Sequence, residues 1–324
     1  MKKNSLVNLY KSSFKVLFVV TAILFSSFPM TSSKAIISNQ TDSDSRPQQS
    51  TTGPEIPAEV MLQDLQKQED TIQNKLTEKL INVPSYLWRH GCGPTAVGMV
   101  IGFFDANGFP DLVDGDPWSQ TNSVDQMIAS GGTVEAPFPP QRRGHFEDYS
   151  LPIDEPPNMR PDNYLTSGLS AHSSNSVADF MKTSRSEHKN YYGWSWSSDI
   201  EPAFTAYVSS RNGHYQPSTS FFYKNMLSWQ ILVSQINNNR PMVFLVDTNS
   251  DGYTDHFVTV IGYRTSPAQQ YAVWDTWDNS TIRWEDFNYI QQGVPWGIWG
   301  GWSFDVSEIP DLGYEIYLPI AFRN

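Results

Sequence analysis

Apolar positions along this chain change their period several times, and each change predicts an element. Ala96, Val97, Met99, Val100, Ile101, Phe103 and Phe104 are apolar nearly all round a helix that opens at Cys92. Pro94 falls in its first turn, where a missing N–H is harmless, and Asn107, Gly108 and Pro110 end it. Such a helix is expected to be buried. Pro241–Val246 and Phe257–Tyr263 are short continuous apolar runs and read as buried strands joined by a Gly-containing turn, and Tyr271–Trp277 reads as a strand that follows them. Helical spacing is also present in Ser176–Met181 and Trp229–Ile236, while Tyr191–Trp196 and Phe221–Tyr223 are aromatic, strand-like pieces. The Pro-rich stretch from Ala136 to Pro161 predicts an irregular surface excursion, and Tyr314–Phe322 a last strand.

Upstream of the Cys92 helix the pattern is simpler. Lys2 and Lys3 precede an apolar run from Val16 to Phe28 and the small-residue site Ser33-Lys34-Ala35, which predicts a signal peptide over 1–35 and a secreted or cell-surface protein. Residues 36–57 are rich in Ser, Thr, Gln, Asn, Asp and Pro and predict a flexible linker. Met61, Leu62, Leu65, Ile72, Leu76 and Leu80 then recur at spacings of three and four. They predict an amphipathic helix over 58–81, either docked on the domain or serving as a removable pro-segment that shields a cleft. Residues 82–324 remain for the principal domain.

Charge narrows the partners. The chain has 22 basic and 34 acidic side chains, a formal net charge of −12, and its first 35 residues hold five Lys and no acid. Processing would leave a net charge of −17, which disfavours nucleic acid and anionic membranes. No second long apolar run follows the first, so no transmembrane domain is expected after signal removal. Six of eleven tryptophans fall between Trp274 and Trp302 and predict core packing, with an aromatic groove for peptide or glycan as the rarer use.

The chemistry centres on Cys92, the single cysteine. Exported proteins use cysteines mainly in disulfide pairs, so a solitary one in Gly91-Cys-Gly-Pro-Thr-Ala96 reads as a reactive thiol, and the start of a helix favours its thiolate. His256, in Asp255-His-Phe-Val-Thr-Val, stands at the start of a predicted strand, where a rigid backbone can hold an imidazole as base. Asp275 lies toward the end of the next strand and can orient that imidazole, though a turn-initiating Asp is the common alternative.

These three motifs, with Met99 and Val273-Trp-Asp275, resemble the papain-clan cysteine peptidases related to the bacteriocin-processing peptidases, the C39-like family, over residues 82 to about 290. The resemblance implies an α+β, papain-like fold with the Cys-bearing helix packed on an antiparallel sheet. It also implies a Cys92 nucleophile, a His256 general base and acid, an orienting Asp275, a peptide or protein substrate, and no cofactor for catalysis. Relatives carry a Gln a few residues before the nucleophile to bind the oxyanion; here that stretch has none, and Tyr86, Trp88 and His90 are the side chains able to donate instead. The same triad would support transglutaminase-like or wall-linking acyl transfer, and the missing Gln would suit an inactive surface-binding module.

A second motif precedes His256. Asp247, Asn249, Asp251, Tyr253 and Asp255 occupy positions 1, 3, 5, 7 and 9 of a calcium loop, but position twelve is Val258 instead of Glu, so structural calcium and a plain Asx-rich hairpin turn are both open.

Overall fold

A computed structural model describes residues 46–47, 53–67, 78–130 and 174–309, all within one compact unit spanning 42–324. The predicted signal peptide, the rest of the 36–57 stretch, residues 68–77, the Pro-rich excursion and the predicted C-terminal strand lie outside the described residues. Among the described residues the architecture is α+β: six α-helices and a seven-stranded antiparallel sheet. In chain order these are α1 (Ala58–Lys67), β1 (Glu78–Leu80), α2 (Cys92–Ala106), α3 (Asn122–Ile128), α4 (Val177–Phe180), α5 (Ile200–Arg211), β2 (Tyr215–Tyr223), α6 (Trp229–Asn237), β3 (Met242–Asp247), β4 (His256–Arg264), β5 (Gln270–Trp274), β6 (Arg283–Asp286) and β7 (Gly297–Glu308). No described helix is long and apolar enough to cross a membrane.

The sheet order is β2-β7-β3-β4-β5-β6, with β1 added to β4. Its centre, β3 and β4, is buried from Met242 to Asp247 and from His256 to Ile261, which is why both read as unbroken apolar runs instead of alternating ones. α2 packs on β4: the Thr259 hydroxyl donates to the Ala96 carbonyl at 3.0 Å, and Gly93 lies against the Phe257 ring. On α2's other flanks, Phe104 meets Phe204 of α5, and Gly98 lets Ile128 of α3 approach. Every residue from Cys92 to Asp105 is therefore buried, as an all-round apolar helix requires.

The helix predicted over 58–81 is shorter than its spacing implies. It is described over Ala58–Lys67, and Glu78–Leu80, within the predicted span, is a strand paired antiparallel with Gly262–Arg264. The reason lies in the partner, since a side chain on Gly262 would collide with Leu80 and the Lys79 carbonyl, so this glycine opens the edge of β4 to β1. Ser176 caps α4 through a capping box with Asp179, but this helix lasts only four residues. Tyr191–Trp196 contributes an isolated bridge at Gly193 and no strand. Trp296, Trp299 and Trp302 are buried, the last two stacked around Phe221 of β2, so this cluster is core.

Candidate active site

Cys92 is the first residue of α2. The turn before it is tied by Thr95, whose hydroxyl donates to the Gly91 carbonyl at 2.7 Å and accepts from the Arg89 N–H at 2.9 Å. Gly91 is needed here because it bridges to Gly193, and a Cβ on it would meet Thr183, Pro94 and the Gly193 carbonyl. His90, immediately before, holds a left-handed φ of 61°, the kind of local strain that surrounding structure must enforce.

The thiol is fully buried and lies against the backbone amides of Phe257, Gly93 and Cys92 itself. Phe257 follows His256, so the thiol lies against the backbone amide next in sequence to the histidine. Burial pushes the Cys92 thiol up to about 12; the three amides pull it down and the Asp255 carboxylate pushes it further up. A helix start alone had predicted a thiolate. In this closed arrangement desolvation outweighs the helix start.

His256 is also fully buried. Its Nε2 lies 2.7 Å from the backbone carbonyl of Asp275, and because a carbonyl only accepts, that nitrogen carries the proton. Nδ1 is then the basic nitrogen. The Trp277 ring stacks on the imidazole, 3.9 Å between centroids at 12°. Trp277 reaches the imidazole from the turn that follows β5, whose last ladder pair is Trp274 with Thr259.

Asp275 meets His256 through its backbone carbonyl. It lies just beyond β5, and its carboxylate serves the turn: Oδ1 accepts from the N–H groups of Trp277 at 2.9 Å and Asp278 at 3.0 Å, and Oδ2 accepts from Arg283 Nε at 2.9 Å. The carboxylate thus fixes the loop whose carbonyl fixes the histidine. Arg283 in turn pairs with Asp64 of α1 through both terminal nitrogens and lies over the Trp296 ring. Arg283 was not identifiable as part of the site from sequence spacing, whereas Trp277 follows Asp275 by only two residues.

The three oxyanion candidates separate. Tyr86 is spent elsewhere, donating to the Pro117 carbonyl and lying against Gly102, which is ten residues or roughly 15 Å along α2 from Cys92. His90 has its ring edge-on to Tyr192, 5.2 Å between centroids. Trp88 is anchored by its own N–H to the Thr276 carbonyl at 2.6 Å, and its buried indole N–H meets no acceptor among the described residues.

The loop from Asp247 to Asp255 is built as a hairpin turn. Asp247 accepts from the Gly252 N–H, Asn249 from Asp251, Asp251 from Tyr253, and Asp255 takes both the N–H and hydroxyl of Thr248. The alternating oxygens that matched a calcium loop bind the loop's own backbone, and no group of three or more His, Cys, Asp or Glu gathers around a possible ion among the described residues. Burial lifts the Asp247 carboxyl to about 6, with the Asp251 charge adding to the rise and the Gly252 amide opposing it.

Comparison with known proteins agrees with the motifs. Residues 71–299 match the model of the Peptidase_C39 like family. No curated protein sequence matches the chain. Among solved structures, the crystal structure described as that of a C39-like peptidase from Bacillus anthracis matches at 12% identity, over 71% of this chain and 98% of that one, with a TM-score of 0.33. An overlay that loose transfers no side chain from one protein to the other.

Proposed function

Because the chain belongs to the Peptidase_C39 like family, we propose that it is a cysteine peptidase working through Cys92 and His256, exported by the signal sequence at residues 1–35. The observation that carries this reading is the thiol's seat against the amide that follows His256, with the imidazole's Nε2 proton already fixed by the Asp275 carbonyl. Nδ1 takes the thiol proton, and the thiolate sulfur attacks the peptide carbonyl carbon. The oxyanion of the tetrahedral intermediate accepts hydrogen bonds from the Cys92 N–H and the Trp88 indole N–H. The imidazolium gives its proton to the leaving amine as the C–N bond breaks, and water deprotonated by the same Nδ1 then releases the acyl group as a carboxylic acid.

Trp277 over the imidazole supports the charged intermediate, since an indole face attracts a cation. Substrate enters only when the cleft opens, because both reacting side chains are buried in the closed chain. The test compares wild type, Cys92→Ala and His256→Ala on a peptide library. Turnover by wild type alone is expected; equal turnover by all three contradicts the proposal.

A further inference from the structure

The stretch expected to be a flexible linker contains an ordered contact. Pro47 is buried, and the Arg46 guanidinium lies over three rings, 4.3 Å from the centroid of Trp196, 5.5 Å from Trp194 and 5.6 Å from Tyr191. The rings are held by partners of their own. The Trp196 indole donates to the His188 carbonyl at 3.0 Å, the Trp194 carbonyl accepts from the Ser184 N–H at 3.0 Å, and Trp194 packs edge-on against Tyr191. A cage fixed in this way does not depend on the arginine for its shape.

Its position joins it to the candidate site. Gly193, between the caging residues, is the bridge partner of Gly91, next to Cys92. The Arg46 carbonyl accepts from the Thr254 hydroxyl at 3.1 Å, two residues before His256, and the Gly53 carbonyl accepts at 2.9 Å from the Trp277 indole that covers His256. Arg46 therefore touches the cysteine side through its side chain and the histidine side through its backbone. An extended peptide bridging a peptidase cleft would make contacts of this kind.

We propose that Tyr191, Trp194 and Trp196 form a subsite for a cationic side chain, arginine or lysine, of the peptide substrate, and that Arg46 fills it in cis as an intramolecular ligand. The word substrate rests on the peptidase reading; the cage itself does not. Three rings around one guanidinium favour a cation over an uncharged side chain of similar length, because their faces carry negative potential. The contacts of Gln63 with the Thr248 carbonyl and of Asp64 with Arg283 hold the following helix on the histidine side, which keeps Arg46 at high effective concentration.

The test uses the full chain with Cys92→Ala, so that binding is read without turnover. Calorimetry compares acetyl-Ser-Arg-Pro-Gln-amide, the sequence of residues 45–48, with the same peptide carrying norleucine for arginine. In Cys92→Ala/Arg46→Ala the arginine peptide is expected to bind about tenfold or more tighter than the norleucine peptide, and adding Trp196→Ala removes the preference, whereas Trp196→Phe keeps part of it. With Arg46 retained, binding is expected to be at least about tenfold weaker. Equal affinity for the two peptides, or no binding to the Arg46→Ala chain, overturns the subsite. In the chain with Cys92 intact, Arg46→Ala should speed alkylation of the thiol by iodoacetamide; an unchanged rate overturns occupancy in cis. A chain that binds the arginine peptide but never cleaves it keeps the subsite and defeats the peptidase reading, so the two failures are distinct.

Discussion

The two halves of the candidate site hold Cys92 and His256 by different physics. Cys92 is placed by packing: an apolar helix buried to its last turn, glycines that let neighbours approach, and one threonine that ties the preceding turn. Burial pushes the thiol's pKa up, opposed by the backbone amides of Phe257, Gly93 and Cys92 itself. His256 is placed by a polar relay instead, from Asp64 through Arg283 and the Asp275 carboxylate to the turn whose carbonyl meets Nε2. Packing defines position sharply but disfavours charge, whereas the relay sets both position and proton. The division suits a reaction in which the proton must leave sulfur for nitrogen before attack.

Substitutions can break either side separately. The largest effect is expected from His256→Ala, a fall in kcat/KM of about 10³–10⁴-fold measured on a cleaved peptide, with folding retained. Arg283→Gln should be the most damaging change in the relay. It leaves the buried Asp275 carboxylate without its cation and is expected to lower unfolding free energy by about 3–5 kcal/mol in a denaturant titration. On the packing side, Gly91→Ala forces a Cβ into the Gly193 carbonyl and should cost about 10²-fold in kcat by displacing Cys92, with the pH dependence unmoved.

The smallest effect is the most discriminating. Asp275→Asn retains the backbone carbonyl that holds Nε2, so kcat/KM is expected to fall only about tenfold, against about 10⁴-fold for a triad in which the carboxylate itself holds the histidine. A loss of the larger size would show that the side chain, and not the carbonyl, orients the base.

Much of this was legible in the sequence where one local signal sufficed. α2 is readable because its apolar residues run all round and Pro and Gly mark both ends; β3 and β4 are readable because central strands carry no alternation. What escaped depends on partners far along the chain. β1 is a three-residue strand allowed by a missing side chain at Gly262, and nothing within Glu78–Leu80 announces it. Arg46 sits in a segment of polar composition whose three caging rings lie roughly 150 residues onward, so composition alone predicts a linker. That Asp275 meets the imidazole through its carbonyl was not legible either, because residue identity describes a carboxylate and says nothing of where the carbonyl points. The Asp247–Asp255 motif stays open for a related reason: oxygens spaced by two residues suit an ion or a turn's own amides equally well, and several of them here accept from those amides.

The central claim is that Cys92 attacks with His256 as its base. Intact-mass analysis after incubation with a peptidyl vinyl sulfone tests it most directly, because the trap needs both nucleophile and base. A single adduct, mapped to Cys92, is expected in the wild-type chain and none in His256→Ala over the same interval; an adduct forming equally fast in both, or no adduct in the wild type, would rule out this pairing.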